Sequence, residues 1–114
     1  MGALSRYGAR VEEINRANGW YDSARSFGDD VALLHSEVSE AFEEFRAGEP
    51  LDRNRYVQTG GPLPKPEGVP SELADIFIRL VDTARRCGVD LDAAVEEKLA
   101  FNLVRGYRHG GKVV

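Results

Sequence analysis

Glu37 and Glu40 in LLHSEVSEAFEEF, and Glu72 and Asp75 in SELADIFIRL, form two carboxylate pairs, each with its members three residues apart. At helical spacing each pair sets two oxygen ligands one turn apart on the flank of an apolar stripe. Oxygen-only groups without an accompanying His or Cys set suit magnesium or manganese better than zinc. On a wheel advancing about 100° per residue, Glu37, Glu40 and Glu44 fall within roughly 60°, and Glu72, Asp75, Arg79 and Asp82 share a second arc. Two such helices packed antiparallel through their stripes bring the arcs together at one edge. Converging carboxylates repel, so they either hold a proton above its usual pKa or take up one or two divalent ions. The bland alternative is two solvated faces in a chain with nineteen Asp and Glu, with Arg79 a plain ion-pair partner of Asp75 or Asp82.

The elements that must position these acids follow from periodicity. Leu4, Tyr7, Val11 and Ile14 repeat every three or four residues up to Asn18-Gly19, which predicts a short amphipathic helix. GWYDSARSFGDD is turn-rich, carries the one tryptophan, and leads to Asp29 or Asp30 as the cap of a second helix from about Val31 to Ala47. That helix has Val31, Leu34, Val38, Phe42 and Phe45 as its stripe, and Gly48 and Pro50 stop it. Residues 49–70 contain all five prolines with Gly60, Gly61 and Gly68, and read as a loop, either a functional lid or a mobile segment. A third helix opens at Ser71, turns Leu73, Ile76, Phe77, Leu80, Val81 and Ala84 inward, and closes at Cys87-Gly88. A fourth starts at Asp90 or Asp92, carries Ala94, Val95, Leu99 and Leu103 inward, and ends near Gly106. The tail GYRHGGKVV, about 106–114, has no apolar period and reads as a basic flexible arm.

With no strand pattern of any length, the expected fold class is all-α: a bundle of about four helices in a single domain over residues 1–114. Such short helices cover little apolar surface by themselves, so pairing of copies into a homodimer or homotetramer is expected. Fifteen Lys and Arg against nineteen acids give a net charge of −4, a poor footprint for wrapping duplex nucleic acid. No apolar run approaches the roughly 20 residues a membrane span requires. The single Cys87 cannot close an internal disulfide, and the N-terminal stretch turns polar after four residues, which together lead to the expectation of a cytoplasmic protein.

The motif E-x-x-E at Glu37-Val38-Ser39-Glu40, followed on the next helix by E-x-x-D at Glu72-Leu73-Ala74-Asp75, resembles that of the MazG-type all-α nucleoside triphosphate pyrophosphohydrolases. The downstream KLAFNLVRGYRHGGK adds to the likeness, which extends over most of the chain. Two departures are Ser36, where many members carry a further Glu, and the long Pro- and Gly-rich gap between the motifs. The resemblance implies hydrolysis of a (d)NTP between its α and β phosphates to monophosphate and pyrophosphate, in nucleotide-pool sanitation or adjustment. It further implies that Glu37, Glu40, Glu72 and Asp75 hold Mg2+ (or Mn2+), which bridges phosphate oxygens and acidifies an attacking water. By the same resemblance Glu40, with Glu37 as the other catalytic carboxylate, would take that water's proton. Lys98, Asn102 and Arg105, four and three residues apart on one face of the fourth helix, resemble the family's triphosphate-binding trio and would neutralise phosphate charge. Trp20, beside Tyr21, could stack on a base and His35 could line the same pocket, while His109 and Lys112 in the HGGK arm could fold over phosphates; a core tryptophan, a packed histidine and an unstructured tail are the alternatives. Rival functions are a non-catalytic helical interaction module and a related pyrophosphohydrolase acting on phosphoribosyl-ATP.

Overall fold

The computed structural model describes residues 2–113, without the side chain of His109. Four helices carry the fold: α1 (Ala3–Ala17), α2 (Phe27–Arg46), α3 (Val69–Arg86) and α4 (Leu91–Val104), with a single helical turn, α5 (Arg108–Gly111), in the tail. The all-α expectation needs one amendment. Residues 49–70 are not all loop, because β1 (Arg55–Val57) pairs antiparallel with β2 (Lys65–Glu67), Tyr56 opposite Pro66. A two-stranded ribbon is all edge, so a proline that donates no hydrogen bond is tolerated there. The ribbon is fastened to its surroundings by Arg55, which pairs with Glu44 at 3.1 Å, Glu49 at 2.9 Å and Glu67 at 3.1 Å.

Two helix starts differ from the sequence reading. Helix α2 begins four residues earlier than Val31, because Ser26 is its cap. The Ser26 hydroxyl accepts from the Asp29 N–H at 3.1 Å and the Asp29 carboxylate accepts from the Ser26 N–H at 3.0 Å, a reciprocal pair that makes Asp29 a first-turn residue. Helix α3 begins at Val69, ahead of Ser71. Its cap position, Gly68, lies at φ 134°, and a Cβ there would meet the Arg53 carbonyl oxygen and Asn54 at about 3.1 Å, so glycine is required. Ser71 is capped rather than capping, since its N–H donates to Asn54 Oδ1 at 3.0 Å.

Helix α3 is the centre of the packing, with α1 and α2 against it. Asp30 meets Arg86 near one end of the α2–α3 interface and Glu37 meets Arg79 further along. Rising numbers on α2 therefore oppose falling numbers on α3, and the two helices run antiparallel. Gly8 is buried on α1 facing α3, with Val81 O and Arg85 Cδ each at ordinary contact distance, 3.6 Å, from where a Cβ would stand. Tyr7 packs edge-on against Phe77, ring centroids 5.3 Å apart. Helix α4 joins α1 through Asp92, whose carboxylate accepts from the N–H groups of Leu4 (3.0 Å) and Ser5 (2.9 Å) and from the Ser5 hydroxyl (2.6 Å). One helix thus caps the start of another.

The buried apolar residues among those described are Val11, Val69, Val81 and Ala84. The expected inward stripes are only partly covered. Val38, Phe42 and Phe45 on α2 and Leu73 on α3 are each more than half exposed, and α4 buries none of Ala94, Val95, Leu99 or Leu103, with Leu103 at 85% exposure. Periodicity marks which face is apolar; it does not say whether the same chain supplies the cover. The radius of gyration, 16.9 Å, exceeds the roughly 13 Å of a compact domain of this length, consistent with helices that project rather than close on one core. Among the described residues no helix is long and apolar enough to cross a membrane.

Candidate metal centre

The antiparallel packing of α2 on α3 brings the two acidic arcs to one edge. One carboxylate oxygen from each of Glu37, Glu40 and Glu72 lies within 4.8 Å of the others. Asp75 is outside that tight group, but it lines a cavity together with Glu37 and its charge acts on both Glu40 and Glu72. Glu37 is the most enclosed of the three, its side chain 12% exposed, and Glu40 is exposed. The Oε2 atoms of Glu37 and Glu72 are buried and have no hydrogen-bond partner. A buried carboxylate oxygen without a donor is costly, and a hard divalent ion is a partner that removes the cost. The donor set, oxygen throughout, therefore fits magnesium or manganese.

Protonation answers the same crowding when no cation does. Burial, then the charges of Asp75 and Glu40, push Glu72 up to about 7. A shared hydrogen bond and the charge of Glu37 hold Glu40 above the usual carboxylate range, and burial followed by the charge of Glu37 does the same for Asp75, against the opposing pull of Arg79 and Lys65. A raised folded-state pKa means that the folded chain binds more protons than the unfolded one between about pH 4.5 and 7, so stability falls as pH rises through that window. Glu12, Asp29 and Asp92 are shifted the other way and contribute stability that disappears only at lower pH. The metal-free chain should therefore lose stability on the order of 1 kcal/mol between about pH 5 and pH 7.5, a figure discounted for the partial solvation of Glu72. Thermal melts across that range check it, and added Mg2+ should flatten the dependence.

Beside the acids the cavity is walled by Asn15, Trp20, Arg25, Ile78, Arg79 and Asp82. A buried ionic lattice holds this wall. Asp30 takes two hydrogen bonds from Arg86 Nη1, at 2.8 and 2.9 Å, and lies 3.3 Å from Arg25 Nε. Arg25 also reaches Asp82 at 3.5 Å, and Asp82 accepts from the Tyr21 hydroxyl. The turn that carries Trp20 is thereby tied to the start of α2 and to α3. Tyr21 belongs to this lattice, its ring covered by Arg16 and Arg86 and its hydroxyl pKa raised by burial and by Asp82. Arg79 does not pair with Asp75 or Asp82. Asp82 is already satisfied, and Arg79 Nε instead donates to Glu37 Oε1 across the helix interface at 3.0 Å.

The remaining sequence-nominated residues are placed unevenly. Trp20 lines the cavity, 61% exposed, rather than anchoring the core. His35 is exposed on α2, roughly 200° around the helix from Glu37, and does not line the cavity. Lys98, Asn102 and Arg105 do share a face of α4: Arg105 donates to Asn102 at 3.4 Å, and Lys98 and Arg105 both lie over the Phe101 ring at 5.4 Å. No α4 residue lines the acidic cavity of its own chain. Glu44 is drawn away to Arg55, and Lys112 is exposed beyond α5. His109 lies outside the residues whose side chains are described. The residues that sequence reasoning missed are Arg25, Asp30 and Arg86; the Arg25–Asp82 and Arg86–Asp30 pairings span more than fifty positions and leave no local signal. No protein-family model, curated protein or solved structure matches the chain.

Proposed function

We propose that this chain is a divalent-cation-dependent nucleoside triphosphate pyrophosphohydrolase of the MazG-like all-α kind, releasing pyrophosphate from (d)NTPs. The observation that carries the reading is the meeting of Glu37, Glu40 and Glu72 from two helices with two buried, unpartnered oxygens between them. Glu37, Glu72 and Asp75, with Glu40, would hold Mg2+ or Mn2+. Such an ion neutralises phosphate oxygens and makes water a better nucleophile. Glu40, exposed and with raised proton affinity, accepts the water's proton as its oxygen attacks the α-phosphorus and the bridging oxygen leaves with pyrophosphate. Trp20, on the cavity that Glu37 and Asp75 line, offers a face for the base.

A single copy does not bring the Lys98, Asn102 and Arg105 trio to the acids, since that face is on the projecting α4 and lines none of the acidic cavity. The reading therefore includes a homodimer or homotetramer in which α4 of a second copy covers the exposed Val38, Phe42 and Phe45 face and brings that basic trio to the acids. Analytical ultracentrifugation is expected to show two or four chains per particle. Phe42→Glu should shift the particle to single chains and lower turnover with it; a parent that sediments as one chain while active would remove assembly from the account.

A panel of the eight common NTPs and dNTPs, with phosphoribosyl-ATP as a further arm, tests the activity when products are identified with Mg2+ and with EDTA. Equal amounts of monophosphate and pyrophosphate from at least one triphosphate, abolished by EDTA, support the reading. Turnover of phosphoribosyl-ATP alone moves the assignment to that substrate. No product in any arm, with Mn2+ also tried, leaves the interaction module in its place.

A further inference from the structure

Among the described residues the Arg79 side chain makes a single hydrogen bond, from Nε to Glu37 Oε1 at 3.0 Å, and that acceptor is the most enclosed carboxylate of the three-acid group. Its two terminal nitrogens have no protein hydrogen bond among the described residues, and the side chain lines the cavity, 32% exposed. Arg25, the other guanidinium of that wall, is committed to Asp30 and Asp82. Arg79 follows Glu72 by seven residues and Asp75 by four, so it rises from the same face of α3 as the acids.

We propose that Arg79 is the cluster's own counter-cation, holding Glu37 while no divalent ion is bound and passing to a substrate phosphate once an ion takes that carboxylate. This rests on the metal-centre reading given under Proposed function. A guanidinium and a dication on one carboxylate repel each other, so arrival of the ion weakens the Arg79–Glu37 bond. The released side chain already has two free N–H-bearing nitrogens at the cavity, and a planar fork matches two phosphate oxygens. Glu37 is thus kept from standing as an unpaired buried charge, and Arg79 is held beside the place where phosphate arrives.

The two roles oppose each other in sign, which separates them from a merely structural one. Mn2+ binding to the whole chain, read by paramagnetic resonance without nucleotide, should tighten by about three- to tenfold in Arg79→Gln, because a competitor for Glu37 is gone. Binding of α,β-methylene dNTP analogues with Mn2+ present should weaken by about tenfold or more in the same variant. Arg79→Met, which keeps the packed stem, should move both affinities in the same directions and guards against a folding defect specific to Gln. Mn2+ binding that is unchanged or weaker in both variants overturns the counter-cation role alone. A parent chain that binds no Mn2+ overturns it together with the metal centre.

Discussion

Glu40→Gln is expected to lower Mg2+-dependent pyrophosphate release by about a thousandfold while leaving the fold intact and somewhat more stable when metal-free. The two effects have one origin. Glu40 faces Glu37 and Glu72 in a group whose oxygens lie within 4.8 Å, and its proton affinity is raised chiefly by Glu37. An amide of the same shape relieves that repulsion and can donate to a neighbouring carboxylate, so the melting temperature of the metal-free variant should rise. The same amide accepts no proton from water and offers the cation a weaker ligand. Loss of a general base alone costs roughly two to four orders of magnitude in rate. Initial-rate assays beside thermal melts read both quantities. Opposite signs identify a site that sacrifices stability for chemistry, whereas a variant as active as its parent removes Glu40 from the reaction.

Asp30→Ala is expected to be the most destabilising single change among the polar residues, by roughly 3 kcal/mol. Asp30 is 6% exposed and is shared by Arg86, at 2.8 and 2.9 Å, and Arg25, at 3.3 Å. Removing it strands the Arg86 guanidinium, its side chain 25% exposed, and leaves Arg25, 18% exposed, with Asp82 alone. That partial exposure keeps the cost at the lower end of the range for breaking a buried pair. Loss of this size is a large fraction of a small domain's stability and corresponds to a fall in melting temperature of more than about 10 °C. Asp30→Asn, which retains shape and some hydrogen bonding, should cost less. Because Arg25 and the Tyr21–Asp82 pair belong to the same lattice, a folded remnant of either variant should also hold Trp20 less firmly, visible as a changed tryptophan emission. Equal stability of Asp30→Ala and parent would contradict the lattice as a structural tie.

The acids themselves were legible because helix geometry is local. A spacing of three puts Glu37 beside Glu40 and Glu72 beside Asp75 whatever the rest of the chain does, and two apolar stripes need only pack to bring the pairs together. The helix starts were less legible, since they depend on which of several capable residues caps. Ser26 outcompetes Asp29 and Asp30 by a reciprocal bond, and Asn54, seventeen positions away, takes the role expected of Ser71. The β1–β2 ribbon was hidden behind its prolines. It is tied to its surroundings by Arg55 reaching three acids on separate segments, which no periodicity announces. The face of α4 was assigned an inward direction by its apolar residues, yet Leu99 and Leu103 are exposed at 57% and 85%. A pattern of apolar residues specifies that a face needs cover and is silent on where the cover comes from.

Mn2+ titration of the parent chain alongside the double variant Glu37→Gln, Glu72→Gln tests the shared cation site most directly, because it removes the two acids whose buried oxygens lack partners. The expected result is saturable binding to the parent, accompanied by proton release near pH 7 as Glu72 gives up its proton, and loss of both in the double variant with the helical signal retained. Binding of equal strength in parent and double variant, or none to either at millimolar ion, would contradict it.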